Sequence, residues 1–237
     1  MKALVSGGGG FLGGALVRRL VGEGAAVRSL QRGVYPELDA LGVEQIIGDI
    51  ADPNVVERAV AGCEVVFHVA AKVEMWGGCE PFYRTNVIGT DNVLAAMRRH
   101  GAARLVFTSS PSVVHGRGDL AGVDESAPYP DRFEAAYPQT KAMAEIAVLA
   151  ANDPDLATTA LRPHLIWGPG DRNLVPQLVA QAAGASSATA RTWSTRPTST
   201  MRSMPTWGPP RGSLPARRAR AAPTSSPTGS RGRSARS

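Results

Sequence analysis

A chain of 237 residues, 43% of them hydrophobic, is long enough to bury the core of one α/β domain and leave a remainder. No apolar run reaches the length of a membrane span, no signal-peptide core opens the chain, and Cys63 and Cys79 fit neither a metal nor a disulfide framework, so two thiols in a reducing cytoplasm are expected. The net charge of +6 is uneven: 16 basic and 20 acidic residues precede Ala185, whereas the remaining segment to Ser237 carries ten arginines and no acid, so the basicity does not mark the folded part for nucleic acid.

The first predicted element is a strand over Lys2–Val5. It runs into Ser6-Gly7-Gly8-Gly9-Gly10-Phe11-Leu12-Gly13, which opens a predicted helix over Phe11–Val21. A glycine loop between a strand and a helix is the setting in which backbone N–H groups and the helix dipole hold a dinucleotide pyrophosphate. Gly7 would allow the tight turn, Gly10 the approach of backbone to phosphate and Gly13 the close helix–strand packing. A second strand over Ala26–Leu30 ends at Gln31 and Arg32, where a carboxylate would accept from a ribose 2′-OH. The carboxylate is missing, and a guanidinium can pair with a 2′-phosphate, so NADP(H) is favoured over NAD(H); the alternative is that Arg32 is a solvated loop cation.

Further strands are predicted at Glu44–Ile47, Glu64–Val69, Arg104–Thr108 and Thr158–Leu161, with helices at Asn54–Ala61, Pro81–His100 and Phe133–Ala151. This alternation to about Ala183 reads as a Rossmann-type, doubly wound parallel α/β sheet. The Phe133–Ala151 helix carries Tyr137-Pro138-Gln139-Thr140-Lys141, which puts a phenol and an ammonium on one face. Reduction of a carbonyl needs a proton for the oxygen. A phenol with an ordinary pKa of about 10 exchanges it near neutrality only if its anion is stabilised, which a nearby ammonium can do. A hydroxyl to orient the substrate comes from Thr108-Ser109-Ser110-Pro111-Ser112 at the end of the fifth strand, with Ser110 the best match and Ser109 and Ser112 as rivals. His68, His115 and His164 have no partner spacing for a metal or a triad, and no metal site is expected.

The glycine loop and the Tyr-x-x-x-Lys pair, in this order and more than a hundred residues apart, resemble an extended short-chain dehydrogenase/reductase of the NAD-dependent epimerase/dehydratase superfamily. His68-Val69-Ala70-Ala71-Lys72, Phe107 through Val114 and Leu161-Arg162-Pro163 resemble its 3β-hydroxysteroid dehydrogenase-like branch; Gln31 to Pro36 and Ala150 to Asp153 resemble bacterial 2-alkyl-3-oxoalkanoate reductases. The resemblance covers residues 1 to about 183. It implies Tyr137, Lys141 and Ser110 as catalytic residues. It implies Ser6, Gly7, Gly10, Phe11, Leu12, Gly13, Gln31, Arg32, Asp49, Ile50, Ala70, Ala71, Lys72, Asn86, Lys141 and Pro163 around the cofactor, although Asp49 reads equally as part of a helix-capping turn with Asp52. The implied activity is NAD(P)H-dependent reduction of a 3-oxo group, or oxidation of a 3β-hydroxyl, on a small apolar substrate such as a long acid or sterol. No nucleic acid and no membrane span are implied, and a homodimer is left open. A nucleotide-sugar epimerase or dehydratase is the runner-up; a non-catalytic dinucleotide sensor would not need the Tyr-x-x-x-Lys pair.

Residues 1–184 are thus read as the cofactor domain and 185–237 as a disordered Arg/Ser/Pro-rich tail, with the family's small C-terminal substrate domain missing. The tail has a specific alternative to a basic nucleic-acid arm, which would need aromatic interleaving. Back-translating Ser187–Trp207 with GC-rich codons and regrouping by one base gives Ile-Gly-Asp-Gly-Lys-Asn-Leu-Val-Asp-Thr-Thr-Tyr-Ile-Asp-Asn, a run that resembles the family's sequence at this place. A shifted reading frame also explains ten arginines without a lysine.

Overall fold

Six short strands rich in Val, Leu, Ile and Ala associate into one parallel sheet in the order β3-β2-β1-β4-β5-β6. A computed structural model describes residues 1–74, 77–116, 122–171, 175, 176 and 179. The strands are β1 (Lys2–Ser6), β2 (Ala26–Gln31), β3 (Glu44–Ile47), β4 (Val65–His68), β5 (Arg104–Thr108) and β6 (Ala157–Leu161). β1 pairs with β2 from Lys2↔Ala26 to Ser6↔Leu30 and with β4 from Ala3↔Val65 to Ser6↔His68. The strand order therefore reverses beside β1, which is where open α/β sheets bind ligands, outside the carboxyl ends of their strands.

Alternation along β1 separates two cores. Leu4 joins Val66, Leu105 and Phe107 beneath α3 (Pro53–Val60), α5 (Gly89–His100) and α6 (Ala136–Ala150), with Val56, Met97 and Val148 as helix contributions. Ala3 and Val5 face the other way, against Val17 and Leu20 of α1 (Phe11–Gly22) and Leu38 of α2 (Pro36–Asp39). Pro53 at the first turn and Asp52 as N-cap, accepting from the Asn54 N–H, start α3; Gly101 at φ 68° ends α5.

Two predicted helices differ from those observed. The helix expected over Pro81–His100 begins earlier as α4 (Cys79–Phe82), passes through a π-helical turn over Tyr83–Ile88 and continues as α5. The helix expected from Phe133 begins at Ala136, because Pro138 can be accommodated only in a first turn, where its missing N–H costs no bond. α2 and a 3-10 turn over Pro111–Val114, capped by Ser110, were not anticipated; both are single turns started by proline and carry no periodicity. The chain divides into two units, Met1–Ser194 and Thr195–Ser237. The second unit, and the tail from residue 185 with its frame-shift reading, lie outside the described residues.

Candidate active site

The carboxyl ends of β1, β2, β4, β5 and β6 bring the sequence-identified residues to one edge of the sheet. At β1 the chain turns at Gly7, whose φ of 76° puts it in the left-handed region and whose Cβ, if it had one, would stand 3.0 Å from the Ala70 backbone. A Cβ on Gly13 would lie 2.1 Å from the Gly7 carbonyl oxygen, so the helix can reach the strand this closely only with glycine there. Gly10 is the N-cap of α1 and offers no side-chain cap, and no acid lies in the first turn. Among the described residues, the N–H groups of Phe11, Leu12 and Gly13 meet no protein acceptor, which leaves three donors at the positive end of the helix. That fits an anion.

Ser6 is buried beneath this loop. Its Oγ accepts from the Val69 and Ala70 N–H groups at 3.1 Å and hydrogen-bonds His68 Nδ1 at 2.8 Å, so it fastens β1 to the segment after β4. His68 is itself enclosed, with Nε2 3.0 Å from Thr90 Oγ1; burial, assisted by the Lys141 charge, pushes its pKa down to about 3. It is neutral and structural.

At the end of β2, the buried Gln31 amide is engaged inward, accepting from the Ser29 hydroxyl and donating to Gln45 Oε1 at 2.7 Å. Arg32 is exposed and has no hydrogen bond or ion pair among the described residues. Tyr35 closes over the loop: a Cβ on Gly9 would meet its ring at 2.2 Å, and Gln45 holds the Tyr35 backbone at both N–H and C=O. Asp49 accepts from the Ala51 N–H at 3.0 Å and lies 3.5 Å from Arg84, while the cap of α3 is Asp52 rather than Asp49. Ile50 packs under Gly89, where a Cβ would approach its side chain to 2.7 Å.

Asn86, in the π turn, is buried and joins two parts of the site. Its Oδ1 accepts from the Lys72 N–H at 2.8 Å, and its Nδ2 faces the Lys72 carbonyl at 3.2 Å and Thr140 Oγ1 at 3.0 Å. The segment Ala70-Ala71-Lys72 is thereby tied to α6 one residue before Lys141. A π turn shifts the helix register by a residue, a feature recurrent at functional sites.

Tyr137 lies in the first turn of α6 with Lys141 one turn on, as the four-residue spacing requires. Burial raises the Tyr137 pKa, and the Ser110 hydroxyl beside it is the one neighbour that pulls it down. Ser110 Oγ lies 2.8 Å from Ser112 Oγ, so both sit on the phenol side of the β5 end. Ser109 points the other way, to Glu145. Lys141 is almost fully enclosed: Nζ donates to the Thr108 carbonyl at 2.6 Å and stands 4.0 Å above the Phe107 ring. Burial pushes its pKa down to about 7, against the pull of Glu145 in the other direction. Pro163 follows Arg162 at the end of β6, partly buried. Beyond it, Leu165 (φ 46°), Ile166 and Trp167 are exposed, and a Cβ on Gly168 would touch Phe11 at 3.6 Å.

Sequence reasoning missed Glu145. It lies eight residues after Tyr137 and four after Lys141, so the same i, i+4 rule that placed the pair would have placed it on their face. Arg162 was noted only as a neighbour of Pro163, yet it grips Glu145 through Nη2 at 2.5 Å and Nε at 3.1 Å. Tyr129 and Gln45 carried no signal, because their roles depend on loops whose course no local pattern fixes.

Comparison with known proteins agrees with this geometry. Residues 4–195 match the 3-beta hydroxysteroid dehydrogenase/isomerase family. A 2-alkyl-3-oxoalkanoate reductase from Stenotrophomonas maltophilia is 56% identical over 185 residues, covering 77% of this chain and 56% of that one. A 3 beta-hydroxysteroid dehydrogenase/Delta 5→4-isomerase from Mycobacterium tuberculosis is 42% identical over 190 residues, covering 75% of this chain and 50% of the other. Among solved structures, a UDP-glucose 4-epimerase from Thermus thermophilus in complex with NAD superposes with a TM-score of 0.66 at 29% identity, over 77% of this chain and 61% of its own. The chain spans about half the length of the curated relatives it matches.

Proposed function

The chain belongs to the 3-beta hydroxysteroid dehydrogenase/isomerase family, and from that premise we propose that it is an oxidoreductase that uses NADP(H) to reduce a 3-oxo group on a long apolar acid. Oxidation of a 3β-hydroxyl on a sterol-like substrate is the same chemistry reversed. The observation that carries this reading is the convergence of Tyr137, Ser110 and Lys141 at the sheet edge that also holds the uncapped start of α1.

The cofactor's pyrophosphate would be held by the Phe11, Leu12 and Gly13 N–H groups, and its nicotinamide end by Lys141 and the Pro163 segment. When bound, the dinucleotide supplies the hydride. Tyr137 supplies the proton: its raised pKa keeps the phenol protonated at neutral pH, which is the form a reduction needs. Ser110 orients the substrate oxygen toward that phenol, and its hydroxyl favours the phenolate left behind. Asn86 ties the Lys72 backbone to the Thr140 side chain of α6. Arg32, exposed and without a partner among the described residues, is the residue proposed to take a 2′-phosphate, while the Gln31 amide stays engaged with Ser29 and Gln45.

Domain organisation is part of the proposal: residues 1–184 form the cofactor domain, and 185–237 are read out of frame. Sequencing the gene through the codons for Ala180 to Ser187 tests this, since an extra or missing base supports it and an uninterrupted frame overturns it. Functionally, restoring the frame and offering NADPH with a 2-alkyl-3-oxo acid or a UDP-sugar separates the oxidoreductase from the epimerase reading. Consumption of NADPH with the oxo acid supports the first. Interconversion of the sugar without net NADPH consumption refutes it.

A further inference from the structure

Behind the proposed catalytic groups lies a second set of polar side chains that the reaction outlined above does not use. Glu145, 1% exposed, receives the Ser109 hydroxyl, the Tyr129 phenol at 2.7 Å, and the Arg162 guanidinium through both Nη2 and Nε. These partners come from three segments, the end of β5, the loop before α6 and the end of β6, and converge on Glu145 in α6. A carboxylate enclosed to this degree needs a charge partner and filled lone pairs, and it has both. Burial would raise its pKa, but the Arg162, Ser109 and Tyr129 hydrogen bonds prevail and hold it below the ordinary carboxylate value. The Tyr129 phenol is pushed up to about 12 by burial and by Glu145. The carboxylate thus stays ionised and the phenol stays a donor throughout the neutral range.

The position of this charge matters because of what adjoins it. Ser109 precedes Ser110, and Lys141 lies one helical turn before Glu145. The groups facing Lys141 are Tyr137 and Glu145 on α6, neutral His68 on β4, and the Phe107 ring and Thr108 carbonyl on β5. Among them Glu145 is the only anion. We propose that Glu145 is a positioning residue for the oxidoreductase chemistry: held by Arg162, it fixes the β5 end so that Ser110 meets Tyr137, and it favours the charged form of the enclosed Lys141. This rests on the function proposed above, and a purely architectural ion pair would produce only the first effect.

The test uses the full chain with lysine carbon-13 labelled at Cε. The sequence has only Lys2, Lys72 and Lys141, so three signals are expected, one of them displaced by the Phe107 ring. In the parent, the Lys141 signal should titrate near about 7. Glu145→Gln keeps an acceptor for Ser109 and Tyr129 but removes the charge, and should lower that midpoint by about one pH unit or more, the effect expected of losing a close opposite charge. If that variant does not fold, Glu145→Gln with Arg162→Met leaves no guanidinium without its carboxylate, and the Lys141 midpoint should still fall. NADPH affinity, followed against pH in the same samples, should lose its dependence on the higher midpoint. A parent that binds no NADPH overturns the oxidoreductase reading. A parent that binds NADPH, with variants whose Lys141 midpoint is unchanged, overturns the role of Glu145 alone.

Discussion

Replacing Asn86 with leucine separates the cofactor-side loop from the catalytic helix without changing much volume. The Lys72 N–H, now 2.8 Å from Asn86 Oδ1, would be left without an acceptor in a partly buried place, at about 1–3 kcal/mol. Two donated bonds, to the Lys72 carbonyl and Thr140 Oγ1, also disappear, for about 0.5–1.5 kcal/mol each. Thr140 keeps its own bond to the Ala136 carbonyl at 2.8 Å, so the Thr140 share falls at the low end. The sum is about 2–5 kcal/mol, a large part of the 5–15 kcal/mol that folded domains typically possess. At about 2–4 °C per kcal/mol for a domain of this size, melting should drop by about 4–20 °C. Asn86→Asp keeps the acceptor for Lys72 but buries a carboxylate facing the Lys72 carbonyl without a charge partner, so it should be no more stable than the leucine variant. Circular-dichroism melts of the three proteins decide it. A leucine variant melting within about 2 °C of the parent refutes the reasoning.

Four other outcomes are expected. Stability should decline with acid: His68 is neutral when folded, its pKa pushed to about 3 against 6.5 in the unfolded chain, so its contribution is complete above about pH 6.5 and lost toward pH 3, at about 1.4 kcal/mol per unit. Lys141 acts in the same sense in a higher window, since its folded pKa of about 7 lies below the ordinary 10.5: stability rises with pH between those values, and Lys141→Met should flatten that rise in urea melts. Arg32→Ala should weaken NADPH binding by about 1.5–3 kcal/mol while sparing NADH, by calorimetric titration; equal losses for both would remove the 2′-phosphate assignment. Gly13→Ala should abolish dinucleotide binding, because its methyl would lie 2.1 Å from the Gly7 oxygen; retained affinity in a folded variant would show that the loop does not hold the pyrophosphate.

The periodicity of buried residues made all six strands and the long helices legible, because a parallel sheet covered on both faces leaves apolar runs and interleaved helical stripes. Gly7 and Gly13 could be assigned for the reasons the backbone shows, one a positive φ and the other a near contact. The π turn at Asn86 was not legible, since a one-residue shift in helix register has no composition of its own. Gln31 illustrates a different failure. Its place at the end of β2 was correct, but which way its amide turns depends on Gln45, fourteen residues on in a neighbouring strand. Lys141 was placed correctly beside Tyr137, yet the ammonium donates to the Thr108 carbonyl, and Ser110 is what lowers the phenol. Such pairings arise from tertiary packing, and only Glu145, on the same helical spacing, was within reach of a local rule.

The most direct test of the central claim is NADPH oxidation with a 2-alkyl-3-oxo acid by the frame-restored protein and its Tyr137→Phe variant. The proposed chemistry requires turnover by the parent and a loss of about 10²–10⁴-fold in the variant, the usual contribution of a positioned acid, with NADPH affinity nearly unchanged. Undiminished turnover by Tyr137→Phe would contradict it.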